Sequence, residues 1–553
     1  MKNLGIEKKN NMTGNALMIM VSVVLSRILG FVRTMLIPER LGGMNVVTDA
    51  YNLAFLLPDL MYSLLVGGAI AAALIPMLAG YIEKDDEKEG WKAVGTFINV
   101  TFIAMVFVSI LGIIFAPQLM NLIAPGYKES NKEVFDLSVQ LTRILFPSVC
   151  FLMLAGLCNG IMNSYQKFVV AAYGPCLYNL LCILSIYFLS NENPDTNYGV
   201  IRVVWGVVLS SLFYFLFQVL FTMKHLKFYR PTLYFKHKGF HQMMKLAIPS
   251  LMTTSVMQVN IIISNSVSTN FAEGSVTALS LANKTWQMPL GIIAQSMGVA
   301  MLPILSALYA ATKHDEFIQK FNKALRTVLM LSVPSAFGLA ILANPVIRTL
   351  FKFSDKLTEA DINLTARILA VYAIALVAQS INTIMNRSFF SVKDAITPLI
   401  SGIVAIIVNI SSAILIYKYT NLGVRGIALA YSLAACVNMV ILAGSMHKKM
   451  NILRNKKQMA IESLKMILSS VVMSIVLLVS EKYLLPMAID IQIYYDSKII
   501  QVIVLLFQAA LGIVSYFLCM VLLRSKDIWD VTERIIKRKQ KKYDKERQKN
   551  TEL

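Results

Sequence analysis

Arg27 and Arg33 stand six residues apart inside the first long apolar stretch of this chain, in the run Ser26-Arg27-Ile28-Leu29-Gly30-Phe31-Val32-Arg33. A guanidinium inside a bilayer is costly unless it faces protein or a water-filled cavity, so such residues mark a pathway or an anionic ligand. If the helix enters near Asn15, a rise of about 1.5 Å per residue puts Arg27 roughly 18 Å deep and Arg33 about 9 Å further out. The helix turns by about 240° between them, so the two side chains diverge by roughly 120° and suit a broad cavity better than a slot. The alternative is that one arginine pairs with a carboxylate and the other snorkels to the interface.

The other charges within apolar stretches are few. Asp49 (Thr48-Asp49-Ala50) and Asp59 (Leu57-Pro58-Asp59) fall in the second stretch. A carboxylate buried beside an arginine stays ionised and holds it in place. Asp49 could do this for Arg33 or could cap a helix, and Asp59 reads as an interfacial hydrogen-bond partner. Lys284, in Ala282-Asn283-Lys284-Thr285-Trp286, has no acidic residue near it in sequence and reads as a cavity cation or a snorkelling lysine. The run Val66-Gly67-Gly68-Ala69 permits close helix contact or bending.

No enzyme signature accompanies these residues. The chain has no GxxxxGK[ST] phosphate loop and no HExxH, and its five histidines lack metal-ligand spacing. The expectation is therefore no catalytic residues, no metal and no cofactor. The six cysteines lie in apolar stretches without a CxxC pair and read as small core residues.

The elements that position these charges follow from composition. With 56% hydrophobic residues, 15% charged and a mean hydropathy of +0.62, the 553-residue chain is an integral membrane protein. Apolar runs of spanning length predict an all-α fold of about 14 helices. They lie near 14–37, 45–80, 92–116, 133–163, 168–190 and 198–222, then 241–270, 275–310, 318–344, 359–391, 395–418 and 422–446, and finally 459–484 and 498–523. The longest must tilt, kink or extend beyond the hydrocarbon, with Pro58, Pro76 and Pro147 supplying breaks. Lysine before the first run resembles a signal peptide, but no small-residue cleavage site follows, so an uncleaved first span is expected.

The net charge of +21 sits in links on one side if the spans alternate: Lys2 to Lys9, Lys224 to Lys238, Lys448 to Lys457 and the tail from Arg524. That is the positive-inside pattern, placing both termini in the cytoplasm and removing the case for nucleic acid. The link Glu83 to Lys92 is net acidic on the same side and departs from it.

The chain also repeats itself. Leu74-Ile75-Pro76-Met77-Leu78 answers Met301-Leu302-Pro303-Ile304-Leu305, Arg143-Ile144-Leu145 answers Arg367-Ile368-Leu369, and Ile161-Met162-Asn163 answers Ile384-Met385-Asn386. The near-constant offset matches helices one to six with seven to twelve. An even number of helices per repeat makes the repeats parallel, a transporter design in which two halves rock about a central site. The expected organisation is a six-helix lobe over 1–222, a basic linker over 223–240, a second lobe over 241–446, accessory helices over 447–523 and a basic tail over 524–553.

Taken in order, these segments resemble the MurJ (MviN) family of the multidrug/oligosaccharidyl-lipid/polysaccharide (MOP) exporter superfamily. The resemblance rests on Ser26-Arg27-x-Leu29-Gly30-Phe31-x-Arg33 followed by Thr48-Asp49-Ala50, on Ala124-Pro125-Gly126-Tyr127, on Gly160-Ile161-Met162-Asn163-Ser164-Tyr165 and on Leu302-Pro303-x-Leu305-Ser306. It implies MATE-like lobes with a C-terminal helix pair, and the flipping of lipid II or a related polyprenyl-pyrophosphate lipid to the outer leaflet of a bacterial plasma membrane. By the same resemblance Arg27, Arg33 and Lys284 contact the headgroup with Asp49 in support, while Ser26, Gly30, Asp59, Gly67, Gly68, Pro76 and Pro303 are supporting or conformational residues. Membrane lipids and cell-wall synthesis proteins are the implied partners. The rival readings are export of another lipid-linked oligosaccharide or of drugs, and a non-transporting scaffold for cell-wall enzymes.

Overall fold

The computed structural model of the chain describes residues 2–64, 70, 73–190, 197–450, 456–488, 490–526 and 528, and among these every regular element is helical. Gly67, Gly68 and nearly all of the expected tail lie outside the described residues. The chain divides into two compact units, one made of residues 1–281 with 354–361, the other of 282–353 with 362–553.

The first nine helices are α1 (Lys2–Arg40), α2 (Val46–Ser63), α3 (Ile75–Glu83), α4 (Glu87–Ile114), α5 (Ala116–Ile123), α6 (Pro125–Ser130), α7 (Lys132–Ser164), α8 (Phe168–Leu189) and α9 (Tyr198–Thr222). The next eight are α10 (Lys238–Ser268), α11 (Ser275–Leu290), α12 (Ser296–Ala310), α13 (His314–Ile341), α14 (Ala343–Phe351), α15 (Glu359–Ser391), α16 (Ile396–Tyr419) and α17 (Arg425–Met450). The chain continues with α18 (Lys456–Val479), α19 (Leu485–Ala488), α20 (Ile491–Asp496) and α21 (Lys498–Leu522). The repeat is visible in the elements themselves. Helices α4 and α13 both have 28 residues, and α7 and α15 both have 33.

Among the described residues, eleven of the expected spans are helices long and apolar enough to cross a membrane. The other three expected spans, 14–37, 45–80 and 241–270, fall on α1, on α2 with α3, and on α10, and each takes in side chains outside the described ones; Arg27 and Arg33 lie on α1, Asp49 and Asp59 on α2.

Proline acts differently from the expectation of breaks at Pro58, Pro76 and Pro147. Helices α2 and α7 continue through Pro58 and Pro147, because packing on neighbours outweighs one lost backbone hydrogen bond, whereas Pro76 stands in the first turn of α3, where an N–H is not needed. The long 275–310 span is relieved by a π-helical turn, Gly291–Gln295, joining α11 to α12 beside Pro289.

In the first unit, α7 is the central helix, packed on α2, α4 and α9, with α8 bridging α1 and α9. Its buried face carries Leu137, Leu141, Leu145 and Val149 at helical spacing, and these join Ala50, Leu53, Leu57, Val203 and Val207 in one core cluster. In the second unit α13, α18 and α21 pack successively, and the Tyr516 hydroxyl on α21 donates to the Met330 carbonyl on α13 at 2.9 Å.

Candidate functional site

Helix α1 presents its polar residues to α8. The Asn179 amide on α8 donates to the Ser26 carbonyl at 3.3 Å, and a Cβ at Gly30 would sit 3.6 Å from that same amide, in ordinary contact. Ser26 and Gly30 are thus a seat for α8. Arg33, two turns beyond Ser26, is half-buried between aromatic walls: its guanidinium carbon lies 5.5 Å from the Phe55 ring centre on α2 and 5.7 Å from the Tyr178 ring centre on α8. Its Nη1 approaches the Cys182 sulfur at 4.0 Å. Arg27 points elsewhere and is exposed, as the helical rotation requires.

Asp49 makes no contact with Arg33. Fully buried in the first turn of α2, its carboxylate accepts from the Gly274 N–H at 2.8 Å, the Thr277 N–H at 2.8 Å, the Thr277 hydroxyl at 2.6 Å and the Tyr127 hydroxyl. Gly274 immediately precedes α11, so the carboxylate of one helix satisfies orphan N–H groups at the start of another. A second rung lies one turn along α2, where the Asn52 amide donates to the Thr277 hydroxyl at 3.1 Å and accepts from Ser280 at 3.4 Å. The local chain prepares this end: Asn45 and Thr48 form a reciprocal capping box that starts α2 and fixes the direction of Asp49.

The Ala124-Pro125-Gly126-Tyr127 segment supplies the third side. The Gly126 N–H donates to the Thr269 hydroxyl at 3.2 Å, and a Cβ on Gly126 would stand 2.4 Å from the Thr269 carbonyl oxygen, so only glycine permits this approach of α6 to the end of α10. Tyr127 then reaches Asp49. Of these residues Tyr127, Gly274, Thr277, Tyr178, Phe55 and Asn179 escaped the sequence reading. Only Gly126 and Tyr127 left a signal, as a recognisable motif without a role.

The remaining expected residues are placed separately. Asp59 is exposed on α2, and its charge acts on Arg33. In the second unit Lys284 is exposed on α11. The helix around it is fixed by Asn283, whose side-chain oxygen accepts from Trp286 Nε1 at 2.9 Å and Gln287 Nε2 at 2.9 Å, and by the Trp286 ring, 5.8 Å from Tyr372 and 5.8 Å from Tyr431. Pro76 is exposed in the first turn of α3, and Pro303 is exposed at the middle of α12. Among the described residues no group of three or more His, Cys, Asp or Glu could hold a metal ion.

The all-helical membrane fold is one that transporters of the MOP superfamily share. A solved inward-facing MATE multidrug transporter of that superfamily shares the fold with a TM-score of 0.65 at 17% identity, over 79% of this chain and 99% of that one. The family model described as lipid II flippase MurJ matches residues 40–493, and the chain belongs to that family. A probable lipid II flippase MurJ from Buchnera aphidicola is 27% identical over 458 residues, covering 82% of this chain and 88% of the relative. A structure titled lipid II flippase MurJ, inward closed conformation, matches with a TM-score of 0.74 at 26% identity over 92% of this chain and 99% of that one. The chain is thus a multi-pass protein of the bacterial inner membrane and a member of a transporter family.

Proposed function

We propose that this chain flips lipid II from the cytoplasmic to the outer leaflet by alternating access, with Arg27, Arg33 and Lys284 receiving the pyrophosphate of the headgroup. Membership of the flippase family supports the substrate. The observation that carries the site is the setting of Arg33: a cation on a membrane helix held between the Phe55 and Tyr178 rings, with its Nη1 near the Cys182 sulfur and the Asp59 charge acting on it from α2. Such a group offers charge-assisted hydrogen bonds to a diphosphate. Asp49 acts as a supporting residue, organising the helix start that carries Thr277, rather than as a ligand. Basic clusters in alternate links support cytoplasmic placement of both termini.

Native mass spectrometry of the full chain with lipid II tests this. Arg27→Ala and Arg33→Ala should each lower lipid II retention by about tenfold or more, the worth of one or two charge-assisted hydrogen bonds. Retention equal to the parent in both variants would remove the site, and unchanged outer-leaflet lipid II in cells depleted of this chain and lacking other flippases would remove the function.

A further inference from the structure

The segment joining α9 to α10, Met223-Lys-His-Leu-Lys-Phe-Tyr-Arg-Pro-Thr-Leu-Tyr-Phe-Lys-His-Lys238, contains five lysines and arginines and no Asp or Glu. It is fastened along α4. The Tyr229 hydroxyl donates to Asn99 Oδ1 at 2.6 Å, the Asn99 amide donates to the Thr232 carbonyl at 3.0 Å, and the Tyr234 N–H donates to the Thr96 hydroxyl at 3.0 Å. His237 closes the row. Its Nδ1 accepts from the Gly239 N–H at 3.0 Å, which leaves Nε2–H to donate to Glu89 at 3.0 Å. His225 stacks on Tyr165, whose hydroxyl meets Glu87. The acidic start of α4, which departed from the basic pattern of that side, is therefore the fastening for this basic segment.

With its backbone held inward, the segment leaves an unusual outer surface. Lys224, Lys227, Arg230, Lys236 and Lys238 are exposed, and between them Met223, Phe228, Leu233, Tyr234 and Phe235 are exposed too, Phe235 by 53%. Large apolar side chains left open on a fastened segment require a cover. Both ends of the segment run into helices read as membrane spans, so it lies at the level of the bilayer surface. Alternating cations and aromatic rings at that level, without a single acid, match anionic phosphodiester headgroups over an apolar boundary. We propose that residues 223–238 are a docking strip for acidic phospholipids of the adjoining leaflet, which the charge pattern makes the cytoplasmic one. The strip is separate from the headgroup cations of α1 and does not depend on the identity of the transported lipid.

The probe is phosphatidylglycerol competed against phosphatidylcholine on the detergent-solubilised full chain, read as the ratio of bound lipids by native mass spectrometry. The variant Lys227→Gln/Arg230→Gln/Lys236→Gln alters exposed side chains that make no hydrogen bond in the fastening, so its thermal midpoint should match the parent. Its phosphatidylglycerol preference should fall at least about fivefold, and the parent's preference should fall with added salt. A preference equal to the parent's overturns the proposal. Independently, the extra emission of Phe235→Trp over the parent, in phosphatidylglycerol vesicles, should be quenched by headgroup-proximal doxyl lipid and shielded from aqueous iodide. Quenching by iodide alone, as expected for a ring facing water or awaiting a soluble protein, overturns it as well.

Discussion

Replacing Asp49 separates two readings of the same carboxylate. As the partner of Arg33 its loss would free a cation; as found, it is saturated by donors from α6 and α11. Asp49→Ala leaves the Gly274 and Thr277 N–H groups without an acceptor in a buried place, each at a cost of about 1–3 kcal/mol, together with two hydroxyls that can partly reorient. The expected destabilisation is about 3–5 kcal/mol, at the upper end for a single substitution. Asp49→Asn keeps the shape but turns an NH2 toward one of the donors, so about 2 kcal/mol or more should still be lost. Equilibrium unfolding of the full chain by SDS titration in mixed micelles would measure both. A cycle with Arg33→Ala completes the test: with no shared contact the two losses should add to within about 0.5 kcal/mol. An Asp49→Asn variant within 0.5 kcal/mol of the parent, or a coupling above about 1 kcal/mol with Arg33, would refute the saturated-carboxylate account.

Gly126→Ala pushes a Cβ against the Thr269 backbone and should cost about 1–3 kcal/mol in the same titration, whereas Gly80→Ala in α3 meets nothing within 4 Å and should be neutral or stabilising by up to about 1 kcal/mol. Arg33→Lys keeps the charge but loses the planar stack on Phe55 and Tyr178, so lipid II retention should fall severalfold by native mass spectrometry, between the parent and Arg33→Ala. Asp394, between α15 and α16, is opposed by burial, yet its bonds to Lys449 and to the Thr397 N–H and hydroxyl hold it at about 2. Because its folded pKa lies below the ordinary 3.8, its contribution is complete above pH 4 and is lost as the pH falls toward 2; with Lys449 nearly half exposed it should amount to about 1 kcal/mol. Asp394→Asn should remove that dependence from unfolding curves measured between pH 2 and 5.

How much of this was legible depends on whether a residue acts through its own type or through its neighbours. The repeat and the spans were legible because apolar length and order are properties of the sequence, and α4 and α13, or α7 and α15, keep equal lengths because each must match the same bilayer thickness. Arg27, Arg33 and Lys284 stand out in the sequence because a cation in an apolar helix is rare in itself, and their contact with a headgroup is a proposal. Asp49 was visible for the same reason, but its partners were not. Carboxylates are matched by eye with cations, whereas the strongest claim on Asp49 comes from two backbone N–H groups and two hydroxyls, 225 and 228 residues away along the chain in the case of Gly274 and Thr277. The positive end of a helix has no letter in the sequence. The same holds for Glu89, in the link that departs from the basic pattern of its side, which is hydrogen-bonded to His237. In each case the acidic residue that failed the simple charge pattern was the one holding two segments together. An acid that remains where a cation or an apolar residue is expected is therefore best tested first for donors on another helix, and Asp59, exposed within reach of the Arg33 charge, is the next residue in this chain to which that test applies.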